Sequence, residues 1–165
     1  MEMQADELPP LTREGLLPEG VHAASLGSVK QRFGQFQQSD CRCRLFKKLE
    51  DFVREVGGAG WRAHVIVDGS FVMACVDEPS DIDIILVLPK GWDMSAEVRP
   101  FEYNLLSRRR TRSRYGFDVI AVRSDSEEES YWIEFFRQVN TKWNNDLGLP
   151  VGLRKGLIRV THDQE

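Results

Sequence analysis

The run Ile82-Asp83-Ile84-Ile85-Leu86-Val87-Leu88 constrains this chain more than any other feature. Apolar at alternating and intervening positions alike, it reads as a strand covered on both faces of its sheet. Asp83 breaks the pattern. An ionised carboxylate in such surroundings costs several kcal/mol unless it is paired or bound to a metal. Side chains alternate along a strand, so Asp81 and Asp83 point to one side. A second apolar segment, 117–122, repeats the anomaly with Asp118 at its second position. If the two strands are neighbours, three carboxylates meet at one sheet end, and no basic residue adjacent in sequence compensates them. Hard oxygen ligands of this kind suit Mg²⁺.

A third buried strand, 63–67, runs into Asp68-Gly69-Ser70. Residues 71–76 read as a short helix after that turn. Glycine lets the backbone approach a phosphate closely, a helix N-terminus offers free N–H donors, and the Ser70 hydroxyl adds a contact. A phosphate cradle facing carboxylate-bound metal is what nucleoside triphosphate chemistry requires.

The rest of the chain supplies helices. Residues 25–33 read as a short helix ending at Gly34. A longer one is capped by Ser39 or Asp40 and stopped at Gly57-Gly58, with Leu45, Leu49, Phe52, Val53 and Val56 on one face. Helix is also expected over about 97–113, where Pro100 limits its start, and over 127–139, where Trp132, Phe135, Phe136 and Val139 share a face. A last short strand fits 156–160. Helices interleaved with strongly apolar strands give an α/β (α+β) fold, a small mixed sheet flanked by helices. The length of 165 residues suits a single domain, 1–165. Within it, residues 1–24 form an extended arm pinned by Leu8, Leu11, Leu16, Leu17 and Val21. The core covers about 39–140 and the C-terminal strand about 155–161.

Gly69-Ser70 followed after ten residues by Asp81-Ile82-Asp83, with Ser80 ahead of the acids, resembles the signature of the minimal nucleotidyltransferases. These are the smallest members of the polymerase β-type superfamily. The third family carboxylate falls on Asp118. The stretches 16–22 and 155–160 also resemble small stand-alone bacterial proteins with this core. The resemblance implies a polymerase β-like fold core, with Asp81, Asp83 and Asp118 as catalytic and metal-binding residues holding two Mg²⁺ or Mn²⁺ ions. It further implies transfer of a nucleoside monophosphate from a nucleoside triphosphate to a hydroxyl of RNA (tRNA) or of a protein, with release of pyrophosphate. Relatives of this kind often serve in toxin–antitoxin or defence systems, so a cognate partner protein is expected. Gly69, Ser70 and Ser80 would contact the phosphates. Family members often carry Ala-Arg-Gly shortly after Gly-Ser, where this chain has Val72-Met73-Ala74. The missing cation would then come from the basic run of Arg108, Arg109, Arg110, Arg112 and Arg114, with Arg109 and Arg112 as candidates. The departure keeps open a second reading, a degenerate module that senses nucleotide or binds a partner as an antitoxin does. A phosphohydrolase using the same acids is a third.

Composition narrows the partners. A formal net charge of -4 argues against a DNA duplex, and the longest apolar run is far too short to span a membrane. The acidic start, Met1 to Glu7, lacks the pattern of a signal peptide. Cys41, Cys43 and Cys75 make neither a disulfide framework nor a zinc site, as expected of reduced thiols in the cytoplasm. Cys75 reads as a buried small hydrophobe. His22, His64 and His162 are scattered, and His64 reads as structural. The four tryptophans read as core or edge anchors, with Trp143-Asn144-Asn145 a candidate acceptor-site lining.

Overall fold

The structure, a computed structural model, describes residues 8–35 and 37–161. His162 and residues 1–7 of the expected arm lie outside the described residues. Five strands form one mixed sheet in the order β1-β5-β2-β3-β4. They are β1 (Val21–Ala24), β2 (His64–Asp68), β3 (Asp83–Leu88), β4 (Asp118–Arg123) and β5 (Leu157–Val160). β2 runs antiparallel to both β3 and β5, whereas β3/β4 and β1/β5 are parallel pairs.

Helices cover both faces, as the double-sided strand pattern requires. Odd-numbered residues of β2 and even-numbered residues of β3, including Val65, Val67, Ile84 and Leu86, pack into the main core with Phe46, Leu49, Phe52 and Val56 of α2 (Cys41–Gly58). The opposite alternation places Ile66, Ile85, Val87 and Val122 against Trp132, Ile133 and Phe136 of α5 (Glu127–Arg137). The two-residue period thus sorts each strand between two cores.

Most expected elements are present, and the differences have local causes. α1 (Leu26–Phe33) starts where the Ser25 hydroxyl accepts the Ser28 N–H and stops at Gly34. α2 continues through Gly57 and Gly58, its end set at Ala59. The single helix expected over 97–113 is two, α3 (Pro100–Leu106) and α4 (Arg108–Tyr115). Ser107 separates them with extended backbone (ψ 121°), and its hydroxyl accepts the Arg110 N–H. The polar serine restarts a helix at the point where its cap is better satisfied than its interior. The acidic run likewise has a structural role: Glu127, Glu128 and Glu129 occupy the first turn of α5, at the positive end of its dipole. Of the arm, Leu8, Leu16 and Leu17 are buried, but Val21 is 36% exposed because it opens the edge strand β1. Cys75 is only partly buried.

Candidate functional site

Register assembles the site. Asp68 pairs with Asp83 across β2/β3, and Asp83 pairs with Asp118 across β3/β4. The three residues therefore form one lateral row on the α5 face, at the sheet end where β2 finishes and β3 and β4 begin. Asp81 precedes β3 and lines the same cleft as Asp83. Like charges directly opposite on neighbouring strands are unfavourable, and cations meet the row at its two ends, at Asp68 and at Asp118. Lys155, just before β5, donates to Asp68 Oδ1 and to the Phe136 carbonyl (3.0 Å). Both members of this ion pair are almost wholly buried.

Among the described residues Asp83 has no such partner. Burial first, then the charges of Asp81, Asp68 and Asp118, push its carboxyl up to about 7 against the pull of Lys155. Burial also pushes Asp68 upward, with Lys155 opposing. Asp118 is met by Arg112 Nε at 3.4 Å and Arg108 Nε at 3.7 Å. Its Oδ1 is nevertheless buried without a hydrogen bond among the described residues. Asp118 therefore does have basic partners, supplied by α4 rather than by sequence neighbours. Among the described residues no group of three or more His, Cys, Asp or Glu side chains is arranged to hold a metal ion. Of the three acids expected to converge, Asp83 and Asp118 pair in register while Asp81 precedes the strand, and Asp118 is met by the arginines.

The Gly69-Ser70 turn differs from the expected cradle. In place of a helix over 71–76 there is one 3-10 turn, Ser70–Val72, too short to present a helix terminus to an anion. Gly69 sits at φ 94° and ψ -178°, a conformation open almost only to glycine. A Cβ there would lie 2.8 Å from the Asp81 carbonyl and 3.0 Å from the Asp83 amide nitrogen. Its glycine is required by the chain's own segment 81–83, which it brings against β2. Phe71 N–H donates to the Asp81 carbonyl (3.2 Å), and the Ser70 hydroxyl donates to Asp81 Oδ1. The turn thus orients the first carboxylate.

That turn is held from behind by a residue the sequence reading passed over. Arg42, 1% exposed, donates to the carbonyls of Phe71 (2.6 Å), Met73 (2.8 Å), Val76 (2.6 Å) and Phe33 (3.3 Å). Asp68 and Lys155 were also without an assigned role. Asp68 resembles an ordinary Asp-Gly turn, and its partner lies 87 residues away.

The remaining candidates divide. Gly69, Ser70, Asp81 and Asp83 line one cleft of about 320 Å³, which most of the segment from Phe135 to Trp143 also lines. Ser80 is exposed and outside that lining. Arg112 and Arg108, one helical turn apart, both reach Asp118, whereas Arg109 is exposed. Arg114 pairs with Glu55 (2.6 Å). Trp143 lines the cleft, but Asn144 and Asn145 do not.

A partly buried row of carboxylates beside an open cleft defines an acidic pocket in a small mixed-sheet domain. Residues 9–161 match the family described as "Family of unknown function (DUF6932)", and the chain belongs to it. Neither comparison with curated proteins nor comparison with solved structures gave a match. Among the described residues no helix is long and apolar enough to cross a membrane.

Proposed function

We propose that this protein is a metal-dependent nucleotidyltransferase of polymerase β type, moving a nucleoside monophosphate from a nucleoside triphosphate to a hydroxyl of RNA (tRNA) or protein. The observation that carries the reading is the uncompensated acid at Asp83, flanked in register by Asp68 and Asp118 and in the cleft by Asp81. A fold does not retain such repulsion for stability. The donor set fits a hard divalent cation: carboxylate oxygens, one of them buried without a hydrogen bond. Asp81 and Asp83 would hold Mg²⁺ or Mn²⁺, joined by Asp118 once it leaves Arg108 and Arg112. When bound, two such ions neutralise charge on the phosphates and make an acceptor hydroxyl more acidic.

The chain's own groups then act as follows. Ser70 fixes the Asp81 carboxylate, and Gly69 sets the close approach of segment 81–83. Lys155 neutralises Asp68, leaving Asp83 as the free acid of the row. The acceptor oxygen bonds to the α-phosphorus, the bond from that phosphorus to the bridging oxygen breaks, and pyrophosphate leaves with the electron pair. The hydroxyl proton passes to Asp118. Triphosphate and tRNA place the reaction in the cytoplasm, which free Cys41, Cys43 and Cys75 suit. A defence or toxin–antitoxin setting, with a cognate partner protein, accords with the small size.

The second reading, a nucleotide-sensing or partner-binding module without activity, is favoured by the engagement of Asp118 with two arginines and by uncharged Val72-Met73-Ala74 after the turn. Incubation with α- and γ-labelled triphosphates, Mg²⁺ and cell extract separates the readings. Transfer predicts α-label but no γ-label on a macromolecule, with pyrophosphate release, and loss of both the label and the pyrophosphate in Asp83→Asn. Triphosphate binding without transfer in any extract supports the sensor, and inorganic phosphate release indicates a hydrolase.

A further inference from the structure

The cleft has a second wall that the carboxylates leave unexplained. Lining the same cleft as Asp81 and Asp83 are Phe135, near the end of α5, and Lys142 and Trp143, which open the short helix α6 (Lys142–Asp146). Phe135 is 50% exposed, although its helix neighbours Trp132, Ile133 and Phe136 pack against the sheet. Trp132 and Phe136 abut its ring nearly perpendicularly, with centroids 5.5 and 5.4 Å away and interplanar angles of 78° and 76°. Tyr131 stacks on the same ring (centroids 6.4 Å, 17°), so its neighbours hold its orientation while half of the residue stays exposed. A pre-oriented, half-open aromatic ring offers a stacking face at small entropic cost.

Charge on this wall is equally specific. Lys142 Nζ lies 4.3 Å from the centre of the Trp143 ring and makes no ion pair among the described residues. The other cation of the cleft, Lys155, is committed to Asp68. Met73, on the carboxylate side, brings no charge, and Arg108 and Arg112 face Asp118 outside the cleft lining. A polyanion entering this cleft meets, among its described lining residues, one cation outside any ion pair.

We propose that the 135–143 wall is the nucleotide-binding wall: Phe135 stacks the base and Lys142 holds the triphosphate. This assignment rests on the nucleotidyl-transfer reading of the carboxylates. It moves the phosphate cation from the arginine run, where the sequence put it, to α6.

The test is calorimetric titration of the full chain, with Mn²⁺ present, by a nucleoside triphosphate and separately by inorganic tripolyphosphate. Phe135→Ala weakens the nucleoside triphosphate about tenfold and leaves tripolyphosphate unchanged, and Phe135→Tyr restores the loss. Lys142→Gln weakens both ligands about tenfold. Circular dichroism melts of each variant match the wild type, since both side chains are exposed. Equal affinity of Phe135→Ala and wild type for the nucleotide, equal loss of both ligands in Phe135→Ala, or no effect of Lys142→Gln would overturn the assignment while the transfer reading stands. A wild type that binds neither ligand with Mn²⁺ removes the transfer reading, and this inference with it.

Discussion

Replacing Asp83 with asparagine should stabilise the metal-free protein, by an amount that depends on pH. The asparagine keeps the shape and removes the charge that burial, Asp81, Asp68 and Asp118 all oppose. The carboxyl is displaced from 3.8 to about 7, which at about 1.4 kcal/mol per pH unit corresponds to about 4 kcal/mol. Partial access to solvent weakens the effect, and about 2 kcal/mol is expected. The sign follows from proton binding. The folded chain holds this proton to higher pH than the unfolded chain, so the wild type is at full stability below about pH 4 with respect to this group and loses stability as pH rises to about 7. The substituted amide never ionises, so the advantage of Asp83→Asn opens across that window and is constant above it. Urea and thermal denaturation in a chelator, from pH 5 to 8.5, measure it. At pH 8 the variant should melt about 4–8 °C above the wild type for a chain of this size, and near pH 5 the gap should shrink. Mg²⁺ should then raise the wild type and leave the variant unmoved. A variant no more stable than wild type at pH 8 in chelator would refute the claim that Asp83 is uncompensated.

Three further substitutions probe the scaffold around the row. Gly69→Ala forces a side chain into φ 94° and against the Asp81 carbonyl, so a loss of about 3 kcal/mol in urea denaturation is expected, with loss of metal binding. Arg42→Met leaves four carbonyls without their donor and should cost about 3 kcal/mol or more; Arg42→Lys should restore little, since one ammonium cannot reproduce the fork. Lys155→Met strands Asp68 in the interior, destabilising by roughly 3–5 kcal/mol at pH 8. Adding Asp68→Asn should recover most of that loss, and full independence of the two substitutions would show that the pair is not coupled.

The parts of this fold visible in the sequence were those fixed by local pattern. α2 follows from the recurrence of Leu49, Phe52, Val53 and Val56, and the buried strands follow from apolar runs. Asp83 and Asp118 stood out because each is one acid in an apolar strand, and register pairs them. What escaped depends on distant partners. Asp68 looks like a turn residue until β5 delivers Lys155. Arg42, between two cysteines on α2, looks like surface until its guanidinium is placed under the 71–76 segment. The arginine run is evident in the sequence, but which members face Asp118 is set by the restart of the helix at Ser107. Glycine at 69 is legible as a site of close approach, and the approach the structure shows is to residues 81–83 of its own chain.

Titration of the full chain with Mn²⁺, followed by electron paramagnetic resonance, tests without any acceptor whether the acidic residues hold a divalent cation. The signal of free Mn²⁺ should be depleted by wild type above pH 7, less so at pH 5.5 where the proton on Asp83 competes, and hardly at all by Asp81→Asn or Asp83→Asn. Mn²⁺ left free by the wild type, or bound equally by wild type and both variants, would contradict the site.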